Sequence, residues 1–210
     1  MKKLIIFLGP PGSGKGTQAQ KLARKLDYSY LEMGQILREI PDPKTKATIT
    51  SGRLVPAKIV LNALLAKIKP DVKGYIFDGF PRDLEQASKL ESIRKKLNLE
   101  KPLIVLIKLA DAEVVKRLAN RLTCQKCLST YAPFSPEYQE KICSKCQGKL
   151  VLRSDDRPET IKVRLKLYRQ NLDNFLPFLR KNYEVLEIDG QPAIPEVQKQ
   201  IAEKLEGKVG

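Results

Sequence analysis

A chain of 210 residues suits one domain of ordinary size, or one core carrying small inserted subdomains, and its 39 lysines and arginines against 24 aspartates and glutamates give a formal net charge of +15. That excess favours polyanionic ligands such as nucleotides, nucleic acid or an anionic surface, and the absence of histidine excludes imidazole-based catalysis. No apolar stretch approaches membrane-spanning length, and the start MKKLIIFLG runs into a glycine-rich motif instead of a small-residue cleavage site, so a cytoplasmic protein is expected.

The β-type run at residues 4–8 leads directly into GPPGSGKGT at residues 9–17 and a helical pattern over 15–26. A strand feeding a glycine-rich turn and a helix start aims backbone N–H groups and the helix dipole at one anion, and Lys15 adds a mobile positive charge. The strict P-loop pattern places Ser or Thr directly after the lysine, whereas here Gly16 intervenes before Thr17. Magnesium is therefore expected to be held more loosely, partly through water.

A second short β-run covers 28–31. Residues 32–55 then form an excursion, with two helical pieces around Pro41-Asp42-Pro43, no sheet strand, and an end at Ser51-Gly52-Arg53-Leu54-Val55. A helical pattern at 58–68 precedes the β-run 75–78, which ends in Asp78 and continues Gly79-Phe80-Pro81-Arg82. An aspartate at a strand's carboxyl end beside a P-loop organises magnesium together with Thr17, and Arg82 reaches an anionic substrate. A helix over 84–97, a strand over 103–109 and a helix over 112–122 follow; on that last helix Arg117 and Arg121, four apart, share a face pointing into the next segment.

Residues 120–156 form the second excursion, with a turn-rich stretch at 132–136 and a ribbon-like stretch at 148–152. Cys124-x2-Cys127 and Cys143-x2-Cys146, separated by fifteen residues, have the spacing of two knuckles that complete one tetrahedral thiolate site. Zinc is the first choice and iron its main competitor, and two disulfides are disfavoured in a reducing compartment. Arg153 precedes Asp155-Asp156, acids placed to orient neighbouring arginines. A helix over 158–179 carries Arg164, and a strand over 183–188 and a helix over 194–205 complete the chain. This alternation predicts an α/β fold, a doubly wound parallel sheet with helices on both faces and nucleotides at the carboxyl ends of its strands.

The motifs GPPGSGKGTQ, DGFPRD with Gln86, RLANRLTCQKC, CSKC, RSDDRPETIKVR and Asp189-Gly190 together resemble the adenylate kinase family of P-loop nucleoside monophosphate kinases, in the variant whose lid carries a metal, over nearly the whole length. The resemblance implies reversible transfer of the terminal phosphoryl of Mg-ATP to AMP, giving two ADP. It implies a five-stranded core from residues 1–31, 56–119 and 157–210, a nucleoside monophosphate subdomain at 32–55, and a zinc-ribbon-like lid at 120–156 with structural zinc. Gly12, Ser13, Gly14, Lys15, Gly16 and Thr17 would hold ATP phosphates, with Arg121, Thr130 and Tyr131 reaching ATP from the lid and Arg117 and Gln191 near its adenine. Met33, Arg38, Arg53, Leu54, Val55, Gly79, Phe80, Pro81, Arg82 and Gln86 would engage AMP, and Arg153 and Arg164 would bridge the transferring group. Lys15, Arg82, Arg121, Arg153 and Arg164 would thus form the catalytic set, acting in a monomer.

Departures from the family pattern cluster on the acceptor side. Glu32-Met33-Gly34-Gln35 stands where Ser-Thr-Gly-Asp is usual, residues 38–52 are fewer than usual, Ala57 replaces an aspartate, and Asn171-Leu172-Asp173 replaces Thr-x-Pro. A pyrimidine (UMP/CMP) monophosphate kinase is the alternative these changes motivate. A nucleic-acid-binding ATPase or non-catalytic nucleotide binder is a third reading, weakened because Tyr131, Phe134 and Tyr138 are the only aromatics around the cysteine ribbon.

Overall fold

The computed structural model describes residues 1–209 except 132 and 134, so Ala132 and Phe134 of the expected turn lie outside the described residues. The chain runs β1 (Lys3–Leu8), α1 (Lys15–Leu26), β2 (Ser29–Glu32), α2 (Met33–Glu39), α3 (Pro43–Thr50), α4 (Ala57–Ala66), β3 (Gly74–Asp78), α5 (Leu84–Lys96), β4 (Leu103–Lys108) and α6 (Asp111–Ala119). It continues through β5 (Leu122–Cys124), β6 (Thr130–Tyr131), α7 (Pro136–Glu140), β7 (Leu150–Leu152), a 3₁₀ turn at Ser154–Asp156, α8 (Pro158–Asn182), β8 (Glu184–Asp189) and α9 (Ile194–Leu205).

Five strands form a parallel sheet in the order β2-β3-β1-β4-β8. Its central strands are apolar at nearly every position because both faces are covered. Successive side chains of β1 point opposite ways: Leu4, Ile6 and Leu8 pack with Leu64, Leu90, Phe175 and Leu179 of α4, α5 and α8, whereas Ile5 and Phe7 pack with Leu22, Val197 and Ile201 of α1 and α9. The doubly wound, five-stranded parallel sheet expected from the alternating pattern is therefore present.

Residues 120–156 build a separate antiparallel sheet of order β6-β5-β7. Its apolar interior consists of Leu122, Tyr131 and Leu150 around Cys124 and Cys143. Residues 33–55 contribute α2 and α3, and Asp42 starts α3 by accepting hydrogen bonds from the backbone N–H and the hydroxyl of Thr45, both at 2.7 Å.

Helix α6 stops at Ala119, not at the expected residue 122, so Arg117 and Arg121 do not share a helical face. Asn120 leaves the helical region at φ −109° and ψ 17°, and the Arg121 N–H donates to Leu118 O at 3.2 Å, tightening the last turn. Leu122 and Thr123 gain more by pairing with Tyr131 and Thr130 on one side and Leu152 and Val151 on the other. Helix α8 runs three residues past its expected end, to Asn182, and closes where the Tyr183 N–H donates to Leu179 O at 2.8 Å.

Asp83 caps α5, accepting from the Gln86 N–H at 2.7 Å and from the Gln86 side-chain amide at 2.9 Å. Asp83→Ala is expected to cost about 1 kcal/mol in urea denaturation. An unchanged midpoint and slope would show that water replaces the cap.

Candidate active site

The carboxyl ends of β1 and β3 open into a cleft of about 1650 Å³. Every residue that the sequence placed at a nucleotide site lines this cleft except Phe80, whose ring is fully buried against Phe77. On one side the P-loop turns at Gly12 and Gly14, with φ of 76° and 84°, a conformation that side chains resist. Ser13 Oγ is buried with no partner among the described residues. A buried polar atom left so costs about 1–3 kcal/mol, which a phosphate oxygen relieves.

Lys15 lies half-buried at the cleft floor, its Nζ donating to Pro10 O at 3.3 Å. A small solute can reach it, yet protein on most sides strips away bulk water. This desolvation pulls its pKa down to about 8 against the attraction of Asp78, and repulsion from Arg82, Arg164 and Arg121 adds to the fall.

Asp78, at the end of β3, is 3% exposed. Its Oδ2 accepts the Tyr30 hydroxyl at 2.8 Å, and its Oδ1 is buried with no partner among the described residues. Burial raises its pKa, opposed by Lys15. A Cβ added at Gly16 would stand 3.1 Å from Asp78 Oδ2, so a serine or threonine directly after the lysine would crowd this carboxylate. An unpartnered carboxylate oxygen beside a P-loop suits a hard cation carried by a nucleotide.

Three arginines converge on two aspartates. Arg121 grips Asp156 through Nε at 2.8 Å and Nη2 at 2.6 Å, and Arg153 grips Asp155 through Nε at 2.8 Å and Nη2 at 2.6 Å. Arg164 Nη1 donates to Asp156 Oδ1 at 2.8 Å and to Asp155 O at 2.9 Å. The expected role of these acids in orienting arginines is realised. Desolvation and the neighbouring Arg153 draw Arg121 down to about 10 despite Asp156.

Across the cleft from the P-loop, Arg82 donates through Nε to Gly79 O at 2.6 Å, and its backbone N–H donates to Gln86 Oε1 at 3.0 Å, so Gln86 steadies this turn while lining the cleft. Arg38 sits 3.6 Å from Glu32, is drawn down to about 10 by desolvation and then by Arg153, and has a buried, unpartnered Nε among the described residues. Arg53, Leu54, Val55, Gly79 and Pro81 line the same side, where Met33, only 1% exposed, and Phe175 add apolar surface.

At the cleft rim, Arg117 is held by Glu113 at 2.8 Å and donates to Gly190 O at 3.1 Å and Gln191 O at 3.3 Å. Thr130 is exposed at the cleft, whereas the Tyr131 hydroxyl turns inward to Cys143 Sγ at 3.1 Å.

The four cysteine sulfurs lie within 4.8 Å of one another, with Cys124 and Cys146 at 3.4 Å and Cys127 and Cys143 at 3.5 Å. Sulfurs about 2.3 Å from a shared zinc stand roughly 3.8 Å apart, so this cluster fits a tetrahedral ion and is too wide for disulfides. Each knuckle ends in a left-handed residue, Leu128 at φ 60° and Gln147 at φ 56°, and a Cβ at Gly148 would intrude to 2.7 Å from Cys124 Sγ. Burial opposes ionisation of Cys143, but hydrogen bonds from Tyr131 and nearby backbone N–H groups bring its pKa to about 6. Cys146 goes the other way: despite a backbone hydrogen bond at Gly148, hydrogen bonds with Cys124 and Cys127 push its pKa up.

Sequence reasoning gave no role to Tyr30 or Glu32. The usable signal is strand register, because Glu32 pairs with Asp78 at the ends of β2 and β3. Among the described residues, no helix is long and apolar enough to cross a membrane.

A family model described as adenylate kinase matches residues 7–184. The chain belongs to the adenylate kinase family. Adenylate kinase of Archaeoglobus fulgidus is 36% identical over 96% of this chain and 97% of its own. The adenylate kinases of Petrotoga mobilis, 36% identical over 94% of both chains, and Dehalococcoides mccartyi, 38% identical over 94% of this chain and 95% of its own, are similarly related.

The lowered Lys15 pKa makes a family-type nucleotide a proton-linked ligand. As pH rises through 8 the free protein loses the ammonium charge, and a bound phosphate restores it. ATP binding at about pH 8.5 is therefore expected to take up a proton, with affinity falling as pH rises. Calorimetry in buffers of different ionisation enthalpy reads this uptake, and Lys15→Met should abolish it; equal heats in all buffers would refute it.

Proposed function

We propose that this protein is an ATP:AMP phosphotransferase that reversibly converts Mg-ATP and AMP into two ADP. The observation that carries this reading is one cleft with a P-loop on one side, an apolar wall with Arg38 and Arg82 on the other, and Arg121, Arg153 and Arg164 between them. In this reading residues 12–17 hold the donor phosphates, with Lys15 neutralising them and Arg117 and Gln191 bordering the adenine. Thr17 and Asp78 orient the magnesium that arrives with the nucleotide. Arg38 and Arg82 clamp the acceptor phosphate, and the three central guanidinium groups balance charge spreading over the transferring phosphoryl. Direct transfer needs positioning and no covalent enzyme intermediate.

Residues 32–55 serve as the acceptor subdomain and 120–156 as the lid, which excludes water as a competing acceptor. Cys124, Cys127, Cys143 and Cys146 hold structural zinc, which supplies the crosslink that the lid's few apolar residues cannot. Four cysteines with no disulfide among them suit a reducing, cytoplasmic setting.

A coupled assay of ATP against AMP, CMP, UMP and GMP tests the function, with AMP expected to be the best acceptor. Preference for UMP or CMP would favour the pyrimidine kinase reading, to which Met33 lends support by presenting a thioether in place of a hydroxyl. Salt-sensitive nucleic-acid binding with no phosphoryl transfer would replace both.

Lys15→Ala is expected to lower kcat by at least about 10²-fold with the circular dichroism spectrum retained. Near-normal turnover would remove the P-loop from the mechanism. Cys143→Ala, or chelation of the native protein, should release metal and lower Tm by about 5 °C or more, with residual turnover at low temperature. Identical melting curves with and without chelator would reject the structural metal.

A further inference from the structure

Strands β2 and β3 end side by side, with Glu32 paired in register to Asp78. The Tyr30 hydroxyl lies between their carboxylates, 2.8 Å from Asp78 Oδ2 and 3.4 Å from Glu32 Oε2. A phenol has one proton to donate, and the shorter contact assigns it to Asp78. Glu32 is left with Arg38, at 3.6 Å. Asp78 is almost fully buried and still has an unpartnered Oδ1, and Glu32 adds to the unfavourable field at that carboxylate. Lys15 and Arg82 offset part of that field, yet two acids meeting beside a phosphate-binding loop still disfavour a nucleotide that arrives without a cation of its own.

We infer that Glu32 is a second acid for the magnesium of the bound nucleotide, acting with Asp78 across the Tyr30 hydroxyl. This rests on reading the cleft as a Mg-ATP site. Magnesium sheds water reluctantly, so the acids act as acceptors for its bound waters, one at the end of each strand. Glu32 is thus a positioning residue. Its contact with Arg38 links the donor's cation to one of the acceptor's arginines.

The test is Mn²⁺ affinity of the protein–ATP complex, read by electron paramagnetic resonance without turnover, for wild type, Glu32→Gln and Glu32→Asp. Glu32→Gln, nearly isosteric, is expected to weaken Mn²⁺ binding about tenfold, while ATP binding without metal is kept or tightened, since one repelling carboxylate is gone. Glu32→Asp, which keeps the charge, should recover part of the loss. If Glu32 serves only Arg38, Glu32→Gln raises the AMP KM and leaves Mn²⁺ affinity unchanged, which overturns the inference. If wild-type protein binds no Mn²⁺-ATP and makes no ADP from ATP and AMP, the Mg-ATP reading falls and this inference with it. A wild type that does both, beside an Mn²⁺ affinity unaltered by Glu32→Gln, overturns the role of Glu32 alone.

Discussion

Two adjacent aspartates hold the cleft in one shape. Asp155 and Asp156 receive Arg153, which follows β7, Arg121, which precedes β5, and Arg164 from the first half of α8. The place where β5 enters and β7 leaves the small antiparallel sheet, side by side at one end because Leu122 pairs with Leu152, is thereby tied to the start of α8. The Asp156 carboxylate is 1% exposed. Removing one partner from such a pair leaves a buried charge and costs about 3–5 kcal/mol, so the knot is stiff. It is also exchangeable, because phosphate oxygens offer the same guanidinium groups the same geometry. The acids thus keep the arginines gathered and aimed before any nucleotide arrives.

The cations themselves explain why such restraint is needed. Lys15, Arg38, Arg82, Arg121, Arg153 and Arg164 all face one cleft, and desolvation together with mutual repulsion draws Lys15 to about 8 and Arg38 and Arg121 to about 10. Without intervening acids this side of the molecule would be pushed apart. The same strain makes polyanion binding favourable, since each phosphate that enters replaces repulsion with attraction. The cysteine cluster solves a neighbouring problem by different means. Three short strands with an interior of Leu122, Tyr131 and Leu150 bury too little to fold alone, and converging thiolates supply the missing crosslink.

What the sequence revealed was local chemistry. The P-loop, the cysteine knuckles and the alternation of strands with helices are each written within a few consecutive residues, and each appears in the structure as expected. The end of α6 was obscured because the helical period continues through Leu122, and only cross-strand partners far along the chain favour a strand there. Phe80 lies between two cleft residues in sequence, but its ring turns into the core toward Phe77. Tyr30 and Glu32 were illegible for the same kind of reason. Their meeting with Asp78 depends on the register of two strands separated by two excursion helices and α4, which no local pattern encodes.

The two sides of the cleft therefore ask different things of a ligand. Around the P-loop and the arginines, affinity comes from charge, which is strong, long in reach and indifferent to the identity of a base. Beside Met33, Val60 and Phe175, the wall is apolar, and a hydrophobic wall separates related ligands by only about 10–200-fold where a hydrogen-bonding one reaches 10⁴ or more. In this reading, selection of the acceptor base draws on the few polar side chains beside that wall, Gln35, Arg53 and Gln86 among them, together with its contour. This division also explains the uneven legibility of the chain, since phosphate recognition leaves glycine, lysine and arginine signatures in sequence and recognition by contour leaves none.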